Sequence, residues 1–217
     1  MKKWLIILLV GLGGVASAKV TQEEVLRYWL GPLDGPTDFP VHKAQIWWMK
    51  DPEVDADIRQ KFGAAVEAAA RGEYDHWTAT PRGRLALIIL LDQFTRNLNR
   101  DKGEAFANDE KALRLAMEGI ARGEHTRLYP VERAFLYLPL EHAEDPYYQE
   151  RSVDLFEQLA REVDPEIRAP FESFLDYARQ HKVIIDRFAR FPHRNRPLLR
   201  DSTQAEVAFL REWGNPF

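Results

Sequence analysis

Thr80-Pro81-Arg82-Gly83-Arg84-Leu85-Ala86-Leu87-Ile88-Ile89-Leu90-Leu91-Asp92-Gln93-Phe94 is the stretch on which the fold turns. Thr80 offers a side-chain oxygen to the unpaired N–H groups of a helix start, and Pro81 suits the first helical position, where its missing N–H costs nothing. Residues 85–91 are apolar without exception. A helix with no polar face cannot lie on a surface, so this one belongs at the centre of the molecule.

Working outward, the chain keeps supplying helix starts and helical spacing, and hardly any stretch alternates apolar with polar residues as a strand would. Thr21 with Glu24 makes a capping box for a helix over 21–29, closed by Gly31-Pro32. Asp51-Pro52 opens a helix to residue 72, with Ile58, Phe62, Ala65 and Val66 on one face. The central helix is predicted over 85–98, and others over 105–122, 130–144, 147–163, 165–191 and 203–213. Pro139 is expected to kink the 130–144 helix by removing a donor. About eight helices joined by short loops make an all-α antiparallel bundle or hairpin array. Periodicity shows no regular 34-residue repeat.

With 217 residues, 45% hydrophobic and 29% charged, the chain suits one domain that buries its own core. Cysteine is absent, which excludes disulfides, thiolate metal sites and a cysteine nucleophile. Residues 1–18 read as an export signal: Lys2 and Lys3, an apolar run over 4–15, then Ala16-Ser17-Ala18, with cleavage expected after Ala18. That run is too short and too glycine-rich to span a bilayer, so no stable membrane insertion is expected after cleavage. The reading places a single helical domain at 19–217, periplasmic or secreted. Cleavage removes two lysines from the 30 cationic residues and none of the 34 acidic ones, taking the formal charge from −4 to −6. Nucleic acid is not an expected partner for such a balance.

Two stretches concentrate polar chemistry. Asp92, Arg96 and Arg100 share one helical face, with Asn97 beside them, so Asp92 is expected to pair with Arg96. Near the C-terminus, Arg187, Arg190, His193, Arg194, Arg196 and Arg200 crowd around Phe188, Phe191 and Asn195. Planar guanidinium forks beside aromatic rings suit a carboxylate or phosphate, although cations near a helix end also offset its dipole. Glu141-His142 with Glu144, and His181 with Asp186, are further candidates for acid/base chemistry. Their spacing matches no metal motif, and no metal or other cofactor is expected. His42, His76 and His125 read as solvated bystanders. Trp29, Trp47, Trp48, Trp77 and Trp213 read as packing between helices. Phosphate-binding loops, nucleophile elbows and dinucleotide fingerprints are missing.

Tyr28-Trp29-Leu30-Gly31, the stretch from Gly83 to Phe94, Phe135-Leu136-Tyr137-Leu138-Pro139-Leu140-Glu141-His142 and Arg190-Phe191-Pro192-His193-Arg194-Asn195 occur in that order. Together they resemble the bacterial domain-of-unknown-function 924 family, over essentially the whole mature chain. The resemblance implies a tetratricopeptide-like helical fold and no assigned activity. Thr95 stands where the family has Pro, and Ala189 and Leu199 where it has Gly, positions at which close backbone approach would shape a pocket. An export signal also departs from the family, whose members are expected in the cytoplasm.

Three functions are compatible with these residues. The favoured one is binding of a small anionic molecule or peptide in a pocket lined by Asp92, Arg96, Asn97, Arg100, Glu141, His142, His181, Arg187, Arg190, His193, Arg194 and Asn195. The others are a protein-interaction scaffold braced by ion pairs, and a hydrolase using a His/carboxylate pair such as His142 or His193 with Glu141 or Asp186.

Overall fold

The computed structural model describes residues 19–214; the export-signal reading of 1–18 lies outside them. Its first elements are α1 (Gln22–Leu30), α2 (Ala44–Trp48) and α3 (Pro52–Ala70). The central rod follows as α4 (Pro81–Ile88), a wider π-helical stretch (Ile89–Phe94) and α5 (Thr95–Leu98). Then come α6 (Asp109–Ala121), α7 (Pro130–Glu141), α8 (Pro146–Glu162), α9 (Arg168–Phe188) and α10 (Gln204–Trp213). No strand occurs among the described residues, so the fold is all-α.

The central rod begins as its sequence dictates. Thr80 accepts the Gly83 N–H at 3.1 Å, and Pro81 occupies the first turn. Residues 85–91 are each 0% exposed, because α1, α3, α6 and α7 pack around them. Gly83 permits that closeness: a Cβ there would lie 2.2 Å from the Trp77 carbonyl oxygen. Arg84 is also fully buried and is paired with Glu124 and Glu118 at 2.7 and 3.3 Å. Trp29 meets Phe94 and Phe135 edge-to-face at 5.4 and 5.9 Å, an arrangement favoured by ring quadrupoles.

Helices α7, α8 and α9 run antiparallel in succession. Arg133 of α7 pairs with Glu162 of α8, whereas Gln149 near the start of α8 donates to the Glu141 carbonyl at the end of α7. Likewise Glu150 of α8 reaches Lys182 and Glu157 reaches Arg179, both on α9. A smaller apolar cluster, Ile184, Ile185, Phe191 and Phe209, fastens α10 to the end of α9.

Several expected boundaries shift for identifiable reasons. The 165–191 helix is shorter: Pro165–Ile167 forms a separate 3₁₀ turn capped by Asp164, and α9 stops at Phe188 because Ala189 turns left-handed. The 105–122 helix divides into a 3₁₀ turn, Gly103–Phe106, and α6, which begins at Asp109. Pro139 is accommodated within α7, which continues to Glu141 and ends short of the predicted 144. Trp29, Trp47 and Trp77 are core residues, but Trp48 and Trp213 are half exposed and do not fill the interior.

Ala189 and Leu199, where the resemblance implies glycine, adopt φ of 58° and 54°. Leu199 is 94% exposed, so a glycine there would answer to backbone handedness and not to the close approach expected from sequence. L-residues carry roughly 1–2 kcal/mol of steric cost in that region, partly offset in glycine by unfolded-state entropy. The double substitution Ala189→Gly plus Leu199→Gly is therefore expected to raise the unfolding free energy by about 1 kcal/mol in urea titrations. A loss of stability would show that neither left-handed residue is strained.

Candidate functional site

The π-helical stretch carries the residue around which the polar cluster forms. A π turn widens the helix by one residue and is often found where side chains are placed for function. Thr95, just beyond it, donates its hydroxyl to the Leu90 carbonyl at 3.3 Å and accepts from Asn108 at 3.0 Å. Asp92, within the stretch, is 1% exposed. Its Oδ1 lies 2.8 Å from His142 Nδ1 and accepts Arg96 Nη2 at 3.2 Å, while Oδ2 accepts the Gln93 amide at 2.6 Å.

These contacts set the protonation states. Burial works against an ionised Asp92, but His142, the Arg96 cation and the Gln93 amide outweigh it and hold its pKa below the usual 3.8. Burial, reinforced by Arg96, lowers the pKa of His142 against the opposing pull of Asp92 and Asp109. A neutral imidazole beside an ionised carboxylate puts its proton on Nδ1, as a donor to Asp92. Nε2 then keeps its lone pair.

Arg96 also bridges to the C-terminal segment. Its Nη2 donates to Asp109 Oδ1 at 2.9 Å, and the other oxygen of Asp109 accepts Arg194 Nη1 at 3.3 Å. Both guanidinium groups lie over the Phe106 ring, at 5.4 and 4.6 Å, and Arg194 is 4.5 Å from the Phe191 ring as well. One carboxylate thus serves two buried cations. The Nε donors of Arg96 and Arg194 are buried without an acceptor. Burial and the nearby Arg96 pull the Arg194 pKa down to about 10.

Around this core, burial pushes the Glu141 carboxyl well up, with Asp92 adding to the effect. His181 Nδ1 donates to the Tyr177 carbonyl at 2.9 Å and lies 3.2 Å from Glu141 Oε1. Its ring is 6.3 Å from His142 and 5.4 Å from Phe191. His193 is held neutral by burial and by Arg194 and Arg96, which lower its pKa to about 3.

The predicted residues therefore divide. Asp92, Arg96, His142, His181, Glu141, His193 and Arg194 come together. Arg100 and Asn97 turn to Asp55 on α3, at 2.6 and 2.9 Å. Arg190 points to Glu206 of α10, at 2.6 Å, and does not converge with Arg96 and Arg194. Arg187 lies over Phe188 and Phe209. Asn195 donates to Ser202 and accepts from Arg200, which pairs with Glu144 at 2.5 Å. The expected pairing of His181 with Asp186 is replaced by Glu141, because Asp186 binds Lys182 one turn earlier. Asp109 and Phe106 join the cluster without having stood out in the sequence: they occupy a turn and a helix start whose orientation only the tertiary fold fixes. No metal-binding group of three or more His, Asp or Glu side chains occurs among the described residues.

Fold and site together define an all-α protein with a hydrogen-bonded Asp–His pair and an Arg–Asp–Arg bridge at the seam between its central rod and C-terminal segment. The chain belongs to the bacterial family of unknown function DUF924, whose model matches residues 25–214. It is similar to the protein of unknown function ATU0120 from Agrobacterium tumefaciens, with 34% identity over 88% of this chain and 97% of that one, and a TM-score of 0.74. No curated protein matches.

Because Asp92 is buried and ionised, removing its charge leaves His142 without its carboxylate and Arg96 with Asp109 alone. Breaking a buried pair typically costs roughly 3–5 kcal/mol. Asp92→Asn is expected to lower the midpoint of thermal unfolding at pH 7 by roughly 6–20 °C. A depressed carboxylate contributes its stability above the ordinary aspartate pKa of about 3.9 and loses it as pH falls, so the gap should narrow in acid. Equal midpoints at pH 7 would contradict the ionised-hub assignment.

Proposed function

We propose that this protein binds a small molecule bearing a carboxylate or phosphate at the paired guanidinium groups of Arg96 and Arg194. The observation that carries the reading is a pair of unmatched donors: Arg96 and Arg194 share Asp109, Asp92 also accepts from Arg96, and still each guanidinium retains a buried, unbonded Nε–H. Buried donors are rarely left unmatched, and an oxyanion supplies the lone pairs that the protein does not. Side chains of Arg96 and Asp109 remain 20% and 21% exposed, which gives a ligand an approach from solvent. Phe106, half-buried, offers an apolar surface beside both guanidinium groups.

The remaining arginines support a different role. Arg84, Arg100, Arg190 and Arg200 are each matched to a carboxylate from another part of the chain, in keeping with bracing the fold. The scaffold alternative draws on those pairs, whereas the under-matched Arg96 and Arg194 favour a ligand. With His142, His181 and His193 all shifted toward their neutral forms, attraction for the anion rests on arginine and is expected to vary little between pH 7 and 8. The Lys2-Lys3 pair and the apolar run after it support a periplasmic or secreted location for this binding.

Titration calorimetry at low ionic strength with inorganic phosphate, succinate and citrate tests the reading. Arg194→Met keeps an apolar stem between Phe106 and Phe191 but removes the fork. It is expected to weaken binding roughly 10- to 100-fold, since charged hydrogen bonds contribute about 1.5–3 kcal/mol. Arg187→Ala, distant from the bridge, should leave affinity unchanged. Absence of binding to the wild type, or equal binding by Arg194→Met, would favour the scaffold.

A further inference from the structure

We infer that Asp92 and His142 form a proton-transfer pair that hydrolyses small carboxylic esters whose acyl part carries a second, anionic group held at Arg194. The inference rests on the anion-binding reading above and assigns that site a reaction. Its basis is geometric: His142 Nδ1 is 2.8 Å from Asp92 Oδ1, and the same oxygen takes Arg96 Nη2 at 3.2 Å. The imidazole is therefore two hydrogen bonds from Arg96, meeting on one atom, and Arg194 follows two further bonds on, through Asp109.

The groups around that ring fit a base. Asp92 and Arg96 face it from the central rod, Asp109 from α6 and His181 from α9, with Arg194 and His193 beyond them on the C-terminal segment. Glu141 precedes it in the chain, its carboxyl pushed well up by burial. Asp92 orients the imidazole and stabilises the imidazolium once a proton arrives, as an orienting carboxylate must. The ring is not sealed off, for the His142 side chain is 15% exposed. Cysteine is absent from the chain, and the Thr95 hydroxyl is committed to the Leu90 carbonyl. Water is accordingly the nucleophile.

In the proposed step, a water molecule gives one proton to His142 Nε2 while its oxygen bonds to the ester carbonyl carbon. The carbonyl π pair moves onto oxygen. When that oxyanion collapses, the C–O bond to the alcohol breaks, and the proton on Nε2 passes to the departing alkoxide oxygen. Ester and water become acid and alcohol, and His142 returns to its neutral form.

Steady-state hydrolysis of para-nitrophenyl hemisuccinate, with para-nitrophenyl acetate as the uncharged comparison, tests the pair. His142→Asn retains an N–H for Asp92 but has no basic nitrogen, so kcat on both esters is expected to fall roughly 10²- to 10⁴-fold. Phosphate binding by the same variant, measured by calorimetry, should persist. In the wild type, which needs no substitution to read, kcat should be lost on acidification with a midpoint below the ordinary histidine value of 6.5, since the base acts only when neutral. Turnover by His142→Asn equal to that of the wild type, or wild-type kcat without an acidic limb, overturns the inference. If both esters show the same KM and phosphate does not bind, yet the His142 effect holds, the anion site falls while the proton-transfer pair stands.

Discussion

An ionised carboxylate at the heart of an apolar rod sets the terms for everything around it. Asp92 is 1% exposed and sits on the same helix that buries residues 85–91 completely. A lone charge there would be intolerable, so its neighbours are obliged to supply protons and positive charge. Gln93 comes from the next residue, Arg96 from the next turn and His142 from the far end of α7. Through Arg96 the obligation passes to Asp109 and then to Arg194, which ties the C-terminal segment to the rod.

That chain of dependence separates charges with a complete set of partners from those without. Arg84 is the most deeply buried cation, yet Glu124, Glu118 and the Leu115 carbonyl all accept from it. Arg190 donates its Nε and Nη2 to the two carboxylate oxygens of Glu206. Arg194 has one long bond to a carboxylate that it shares, together with two aromatic faces. Buried Nε donors without an acceptor occur at Arg96 and Arg194, as also at Arg168, and the Asp92–His142 pair adjoins the first of them.

Much of the architecture was legible in the sequence because it follows from local rules. The all-apolar run at 85–91 marks the central rod, and the boxes at Thr21–Glu24 and Thr203–Glu206 close in the structure as their residue types require. The i,i+4 spacing correctly pairs Asp92 with Arg96. The same rule fails for Arg100, which a carboxylate on α3 claims first. Nothing local announces the π-helical widening at 89–94, or the turn that detaches Phe106 from α6. Arg190 and Arg194, four residues apart, looked equivalent, but the left-handed Ala189 and the 3₁₀ turn at Pro192–Arg194 send them to different partners. Such pairings are properties of tertiary contacts between segments many residues apart, and residue spacing carries no record of them.

The protonation state of the His142 ring tests the central claim most directly. Long-range proton–nitrogen correlation spectra of protein labelled with nitrogen-15 distinguish the two ring nitrogens and the two tautomers. The account predicts a neutral ring at pH 7, with the proton on Nδ1 and a bare Nε2, and a signal that shifts in Asp92→Asn. A ring carrying its proton on Nε2, or an imidazolium at that pH, would contradict it.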